Sequence, residues 1–324
     1  MTAMPKLLVT RRLPEPVEAH LAERYETTLN PGDTPLDRAA LADAMTRYDA
    51  ILPTITDRID TDILTTRGAC VKILANYGAG FEHIDLDAAR AAGIAVTNTP
   101  DVLTDATAEL AITLMLMAAR RAGEGERELR RGDWTGWRPT HMIGRSIEGK
   151  TLGLVGFGRI AQATAKRARD GFGMTIRYYS RSRAPAKIED ALDARCADDL
   201  EALAAEADIL SLHTPGGAAT HHLIDAALIA RMPRHAILVN TARGPVVDEQ
   251  ALAAALAEGR IAGAGLDVYE DEPRVHPLLA AQERAVLLPH LGSATIESRT
   301  AMGMRAADNL HAFFAGRALP DRVA

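Results

Sequence analysis

The chain has 324 residues, 47% of them hydrophobic and 25% charged, which is the composition of an ordinary globular protein with room for two domains. Its 37 Lys and Arg against 43 Asp and Glu leave a net charge of −6, so the composition offers no basic field for nucleic acid or anionic lipid. Two cysteines, Cys70 and Cys196, exclude a disulfide framework and fit a reducing compartment, the cytoplasm by expectation.

In chain order, the opening MTAMPKLLVT has one lysine and no long apolar run, so no targeting signal is expected. The run KLLVT reads as a strand and Pro14 to Arg24 as a helix. AIL (Ala50 to Leu52), VKILAN and IAVTN follow as strands, with a helix over Leu86 to Ala92. This alternation predicts βα units and a parallel sheet. Asp101 to Arg131 carries Leu110, Leu114 and Met117 at helical spacing without proline, which predicts one long helix. Its apolar stretch, around Leu110 to Ala119, is too short to span a bilayer.

From Thr151 the alternation resumes through TLGLVG, MTIRYY, DILSLH, HAILVN, IAGAGLDV and AVLLPH, with helices between them. Six strands of this kind make a doubly wound sheet. The last helix, Thr295 to Ala315, has no strand left to pair with there. It is expected to return to the first domain, making the second an insertion. The boundaries expected are 1–100 with 293–324 for the first domain and 101–292 for the second.

The stretch LGLVGFGRIAQATAKRA places Gly156, Gly158 and Ala161 in the spacing of a dinucleotide fingerprint. The first glycine makes the tight turn, the second admits a pyrophosphate, and the third position needs only a small residue against the strand. Backbone N–H groups near Arg159 and Ile160 would face the phosphates at a helix N-terminus. Where an acidic residue would hold a ribose 2′-hydroxyl, the second strand instead ends in YYSRSR. Ser180, with Arg181 and Arg183, would accept a 2′-phosphate, which favours NADP over NAD. The alternative is a solvated basic loop.

Three further stretches lie after predicted strands, where open α/β sheets place ligands. VNTARGPVVDEQAL holds Arg243, GLDVYEDEP holds Asp267 and Glu272, and LLPHLGSAT holds His290. Histidine with a carboxylate partner is a common acid for proton transfer to a developing alkoxide, and guanidinium binds a carboxylate while polarising a neighbouring carbonyl. His290, Glu272 and Arg243 are the expected catalytic residues. Thr214, Pro215 and Thr241 follow strands that should line a cofactor, or else cap structure locally. Ser293 follows His290 closely enough to bond the histidine region or a substrate. NYGAG ends a strand of the first domain, and Ala79 and Gly80 could offer N–H groups to a carboxylate. Leu52 could close a pocket by apolar contact, or be core.

With NYGAGFEHIDLDAARAAGIAVTNTPDVLTDATAELA and GDWTGWRP added to these motifs, the chain resembles the D-isomer-specific 2-hydroxyacid dehydrogenase family over nearly its whole length, its glyoxylate and hydroxypyruvate reductases in particular. The resemblance implies an α/β fold with two doubly wound parallel sheets, a Rossmann nucleotide-binding domain inserted into a flavodoxin-like substrate domain. It implies reduction of small 2-oxo acids with NADP or NAD, His290 as acid/base, Glu272 as its partner, Arg243 as substrate clamp and Asp267 beside the nicotinamide carboxamide. It also implies a homodimer in which a tryptophan reaches the neighbouring subunit's site. Trp137 is the candidate rather than Trp134, and packing within the chain is the alternative. Two other functions stay open on sequence: a dinucleotide-binding sensor or corepressor, and a dehydrogenase of another 2-hydroxy acid such as phosphoglycerate. His221 and His222 have no Cys, Asp or Glu at ligand spacing, so they read as a surface loop and no metal is expected. His213 and His235 are expected to satisfy local hydrogen bonds.

Overall fold

A computed structural model describes residues 4–324, so the first three residues of the opening MTAMPKLLVT lie outside it. The chain divides into two compact units, one running up to Leu103 and resuming over Ala294–Ala324, the other Thr104–Ser293.

The first unit contains β1 (Lys6–Val9), β2 (Glu26–Thr28), β3 (Ala50–Leu52), β4 (Ile73–Ala75) and β5 (Ala95–Thr97), all parallel, in the order β2-β1-β3-β4-β5. That is the flavodoxin-like doubly wound order. β3, β4 and β5 are buried throughout, as expected of a sheet covered on both faces. β2 was not legible in the sequence, because ETT is exposed at the sheet edge and carries no apolar pattern.

The helix Ile296–Phe314 sits in this unit, where Met302, Ala306, Ala307 and Leu310 join a core with Leu7, Val9, Leu52 and Ile73. Its N-cap is Thr295, which accepts from the Ser298 N–H at 3.0 Å. After it, the chain end runs back along β5, with the N–H groups of Val323 and Ala324 both on the Val96 carbonyl.

The second unit contains β6 (Thr151–Val155), β7 (Thr175–Tyr179), β8 (Ala194–Cys196), β9 (Ile209–Leu212), β10 (Ile237–Asn240), β11 (Gly263–Leu266) and β12 (Ala285–Leu287). They form one parallel sheet in the order β12-β11-β10-β9-β6-β7-β8, the Rossmann order with a seventh strand. The sequence reading counted six strands here. It missed β8, three residues of ARC at the edge.

The single helix expected over Asp101 to Arg131 is instead two, Thr104–Ala119 and Ala122–Arg131. The break has a local cause. The Ala119 carbonyl, which would continue the helical ladder, accepts the Arg145 N–H at 2.8 Å, and Arg121 turns into the left-handed region at φ 54°. Arg121 then pairs with Glu124 in the first turn of the next helix. Among the described residues no helix is long and apolar enough to cross a membrane.

Close packing of the last helix gives a test of the first unit. A Cβ on Gly303 would lie 2.5 Å from both Val17 methyl carbons. Gly to Ala inside a helix ordinarily stabilises by about 1 kcal/mol. Gly303→Ala is expected to reverse that sign and cost about 1–3 kcal/mol through overpacking, measured as a lower urea midpoint.

Candidate active site

The second sheet changes winding direction between β6 and β9, and the crevice at their carboxyl ends is where this architecture receives a dinucleotide. Gly156 begins the turn there at φ 86°, with its N–H on the Tyr179 carbonyl at 2.8 Å. A Cβ at this position would fall 2.6 Å from the His213 carbonyl oxygen, so glycine is required by both conformation and space. At Gly158 a Cβ would meet nothing within 4 Å, which leaves an open approach to the backbone. Gly158 caps the helix Arg159–Phe172 without a side-chain cap, and no acidic residue occupies the first turn. Ala161 is fully buried against Leu152 and Leu154, as a packing position demands.

The hydroxyls of Thr214 and Thr241, just beyond β9 and β10, are buried without a hydrogen-bond partner. Buried polar atoms are seldom left so, and their position beside the glycine turn fits donors and acceptors awaiting a bound dinucleotide. Together with the open face at Gly158, they show that the residues present fit the cofactor. Pro215, which follows Thr214, is exposed. Beyond β7, Ser180 donates to the Ser182 carbonyl at 2.6 Å and Arg181 is exposed. Arg183 forms a two-nitrogen pair with Glu189, at 2.9 Å for Nη2 to Oε2, while the Tyr178 hydroxyl donates to Glu189 Oε1 at 2.7 Å. The guanidinium expected at a 2′-phosphate thus already has a carboxylate.

The catalytic candidates lie beyond β10, β11 and β12. His290 Nδ1 donates to Glu272 Oε2 at 2.8 Å, and the Tyr269 N–H donates to the other oxygen, Oε1, at 3.0 Å. Burial pushes the Glu272 carboxyl up, but the His290 hydrogen bond and charge, the Tyr269 N–H and the field of Arg243 outweigh it. They hold the group below the ordinary carboxylate value. Arg243 therefore belongs electrostatically with this pair. Its Nη1 donates to the Ala242 carbonyl at 2.7 Å.

His290 adopts φ 55°, an uncommon left-handed conformation for a non-glycine residue. Asp267 fixes that turn. Its carboxylate accepts the Leu291 N–H at 2.6 Å and the Gly292 N–H at 2.8 Å, and its carbonyl accepts the His290 N–H at 2.9 Å. The side chain is 1% exposed, so both oxygens are committed to the turn. Burial raises its pKa, against the opposing pull of those N–H groups and of His290. These contacts brace the turn that carries His290.

Sequence reasoning missed two supports. Asn240, fully buried at the end of β10, donates to the Arg243 carbonyl at 2.9 Å and accepts the Ala242 N–H at 3.0 Å. A lone amide closing the apolar run ILV was the available signal. Gly244 is the other, because a Cβ there would collide with the Tyr269 backbone at 1.8 Å, tying the arginine loop to the glutamate loop. Ser293 is half-buried beside Gly292, whose carbonyl accepts from Thr107 at 3.0 Å.

In the first unit, Leu52 is fully buried among Leu7, Val9 and Ile73 and offers no surface to a substrate, so its reading as a pocket wall is withdrawn. The Gly78–Gly80 turn is half-exposed. Asn76 donates to the carbonyls of Gly78 and Gly80, and Asn98 to that of Ala79, which fixes the shape of the turn. Trp134 and Trp137 are 52% and 82% exposed. His213 bonds Ser211 at 2.9 Å and His235 bonds Asp208 at 2.7 Å. Burial drives His213 down to about 4.

A model of the D-isomer specific 2-hydroxyacid dehydrogenase NAD-binding domain matches residues 112–292. The chain is 45% identical to a glyoxylate reductase of Thermococcus litoralis over 98% of its length and 96% of the relative's. It is 39% identical to a glycerate dehydrogenase of Hyphomicrobium methylovorum over 96% of each. Among solved structures it resembles an NADPH-dependent glyoxylate/hydroxypyruvate reductase from Sinorhizobium meliloti, in complex with NADP and malonate, with TM-score 0.86 and 34% identity over 99% of this chain and 97% of that one. The chain belongs to the D-isomer-specific 2-hydroxyacid dehydrogenase family. It is an NAD(P)-dependent oxidoreductase of the 2-hydroxyacid dehydrogenase class.

The Glu272 pair predicts a pH dependence. A carboxyl whose folded pKa is depressed contributes stability that is complete above its unfolded value, near 4.5, and is lost as pH falls through the folded one. Denaturation of wild type and Glu272→Gln across pH 7 to 3 should show wild type more stable above about pH 5, with the gap closing in acid. A gap independent of pH would show that the carboxylate's charge is not involved.

Proposed function

We propose that the chain is a reductase of glyoxylate and hydroxypyruvate that prefers NADPH to NADH. The observation that carries the chemistry is the His290–Glu272 pair at 2.8 Å within the field of Arg243. With Nδ1 committed to a carboxylate, which can only accept, Nε2 is the nitrogen that gives a proton to the substrate oxygen. Glu272 stabilises the imidazolium before transfer and keeps the ring oriented afterwards. Arg243 holds the substrate carboxylate and draws charge toward the carbonyl oxygen. The dinucleotide, when bound, supplies hydride to the carbonyl carbon. His290, left neutral, regains its proton from solvent, and the product is a 2-hydroxy acid.

Gly156, Gly158 and the N–H groups of Arg159 and Ile160 hold the pyrophosphate in this reading, and Thr214, Pro215 and Thr241 line the nicotinamide half. Asp267 acts there through the turn it braces. Ala79 and Gly80 offer N–H groups to a carboxylate, and Ser293 supports the histidine turn. The substrates are suggested by the names of the relatives and by the pairing of an acid with a carboxylate-binding guanidinium.

NADPH preference rests on Ser180, Arg181 and Arg183, with no acidic residue in the stretch YYSRSR that closes β7. Since Glu189 occupies Arg183, Arg181 is assigned the larger share of the 2′-phosphate contact. Oxidation of NADPH and NADH with glyoxylate, hydroxypyruvate and pyruvate tests the whole reading. His290→Ala should lower kcat by at least about 10²-fold, the usual worth of a positioned acid. Arg181→Ala should raise KM for NADPH about tenfold, the worth of one charge-assisted contact, and leave NADH unchanged. Equal use of both cofactors by the wild type would remove the preference.

We also propose a homodimer, supported by the exposed Trp134, Trp137, Ile143 and Leu129 of one stretch of the second unit. Trp137 is the residue assigned to the neighbouring subunit's site. Sedimentation should give twice the chain mass, and Trp137→Ala should raise KM for the acid. An active monomer would refute this arrangement.

A further inference from the structure

His221 and His222 lacked an acidic neighbour in sequence, but the fold supplies one. Glu270, on the segment after β11, has its carboxylate against His222, whose Nε2 contacts Oε1. The two imidazole rings stack with centroids 4.0 Å apart, and one donor atom from each of the three side chains lies within 4.8 Å of the others. We propose that His221, His222 and Glu270 form a binding site for a borderline-soft divalent ion, Zn2+ above all.

The donor set argues for the ion. Two imidazoles and one carboxylate suit zinc and its neighbours and disfavour Mg2+ and Ca2+, which take oxygen ligands. The same His2Glu set holds zinc elsewhere with a fourth position left to water. A tetrahedral ion with bonds of about 2.0–2.1 Å places its donors roughly 3.4 Å apart. The donor atoms of His222 and Glu270, now in direct contact, part to admit the ion. The exposed His221, whose donor atom lies within 4.8 Å of the others, closes on it by side-chain rotation.

The surroundings hold the other two ligands in place. The His222 N–H donates to the Pro245 carbonyl at 2.8 Å, and the residue sits in the left-handed region at φ 48°. Glu270 Oε2 accepts the Glu249 N–H at 3.3 Å, while Glu249 Oε1 accepts the Glu270 N–H at 2.8 Å. The carboxylate is thereby fixed through one oxygen, the outer-shell support that tunes metal ligands, while the other oxygen faces His222 Nε2 within the cluster. Glu270 lies two residues before Glu272, but none of the three ligands belongs to the catalytic trio.

The test uses tag-free, chelator-stripped protein. Calorimetry with Zn2+ should give one ion per chain at micromolar affinity, and Co2+ should develop the visible absorption of a low-symmetry site. His221→Ala and Glu270→Gln should each weaken Zn2+ binding at least tenfold, and excess Zn2+ should raise the Tm of wild type but not of the double variant. His221 is exposed, so its variant keeps the fold, which NADPH binding verifies. Absence of stoichiometric binding, or binding that both variants leave intact, would overturn the proposal.

Discussion

A parallel sheet requires a return path after every strand, so all its strands release the chain along one edge. In the second unit this constraint brings Gly156, Thr214, Thr241, Arg243, Asp267 and His290 to the same edge, although they are spread over more than a hundred positions. Chemistry at that edge then depends on how each loop is held after it leaves its strand. The loops after β10 and β11 are locked together where Gly244 meets the Tyr269 backbone. Those after β11 and β12 are locked where Asp267 receives two N–H groups.

That second lock explains how a non-glycine residue can occupy the left-handed region at position 290. Two hydrogen bonds to a buried carboxylate outweigh the roughly 1 kcal/mol of backbone strain. The resulting turn delivers the imidazole to Glu272. Glu272 is in turn fixed by a backbone N–H rather than by a flexible side chain, so the pair is set before substrate arrives. The carboxylates have opposite tasks. Asp267 is buried and spends both oxygens on structure, whereas Glu272 stays partly exposed and keeps one oxygen for the histidine.

The legible parts of the sequence were those with local signatures. Buried parallel strands read as apolar runs, the fingerprint spacing located the dinucleotide turn, and Arg243, Glu272 and His290 each followed such a run. Short edge strands escaped because ETT and ARC bury little. The long helix was misjudged because its end is imposed by Arg145, a residue outside it. Leu52 at the end of a strand reads as core before pocket wall, and it is fully buried in the core.

Sequence alone determined the α/β alternation and the position of the nucleotide turn and singled out Arg243, Glu272 and His290 as candidates, since periodicity and motif spacing are properties of neighbouring residues. Tertiary structure decided which charges meet. Arg183 is engaged by Glu189, Asp267 is committed to the His290 turn, and Glu270 lies 48 positions beyond the histidine it contacts. Hydrogen bonds and ion pairs act over a few ångströms in space, and only folding converts distance along the chain into that separation.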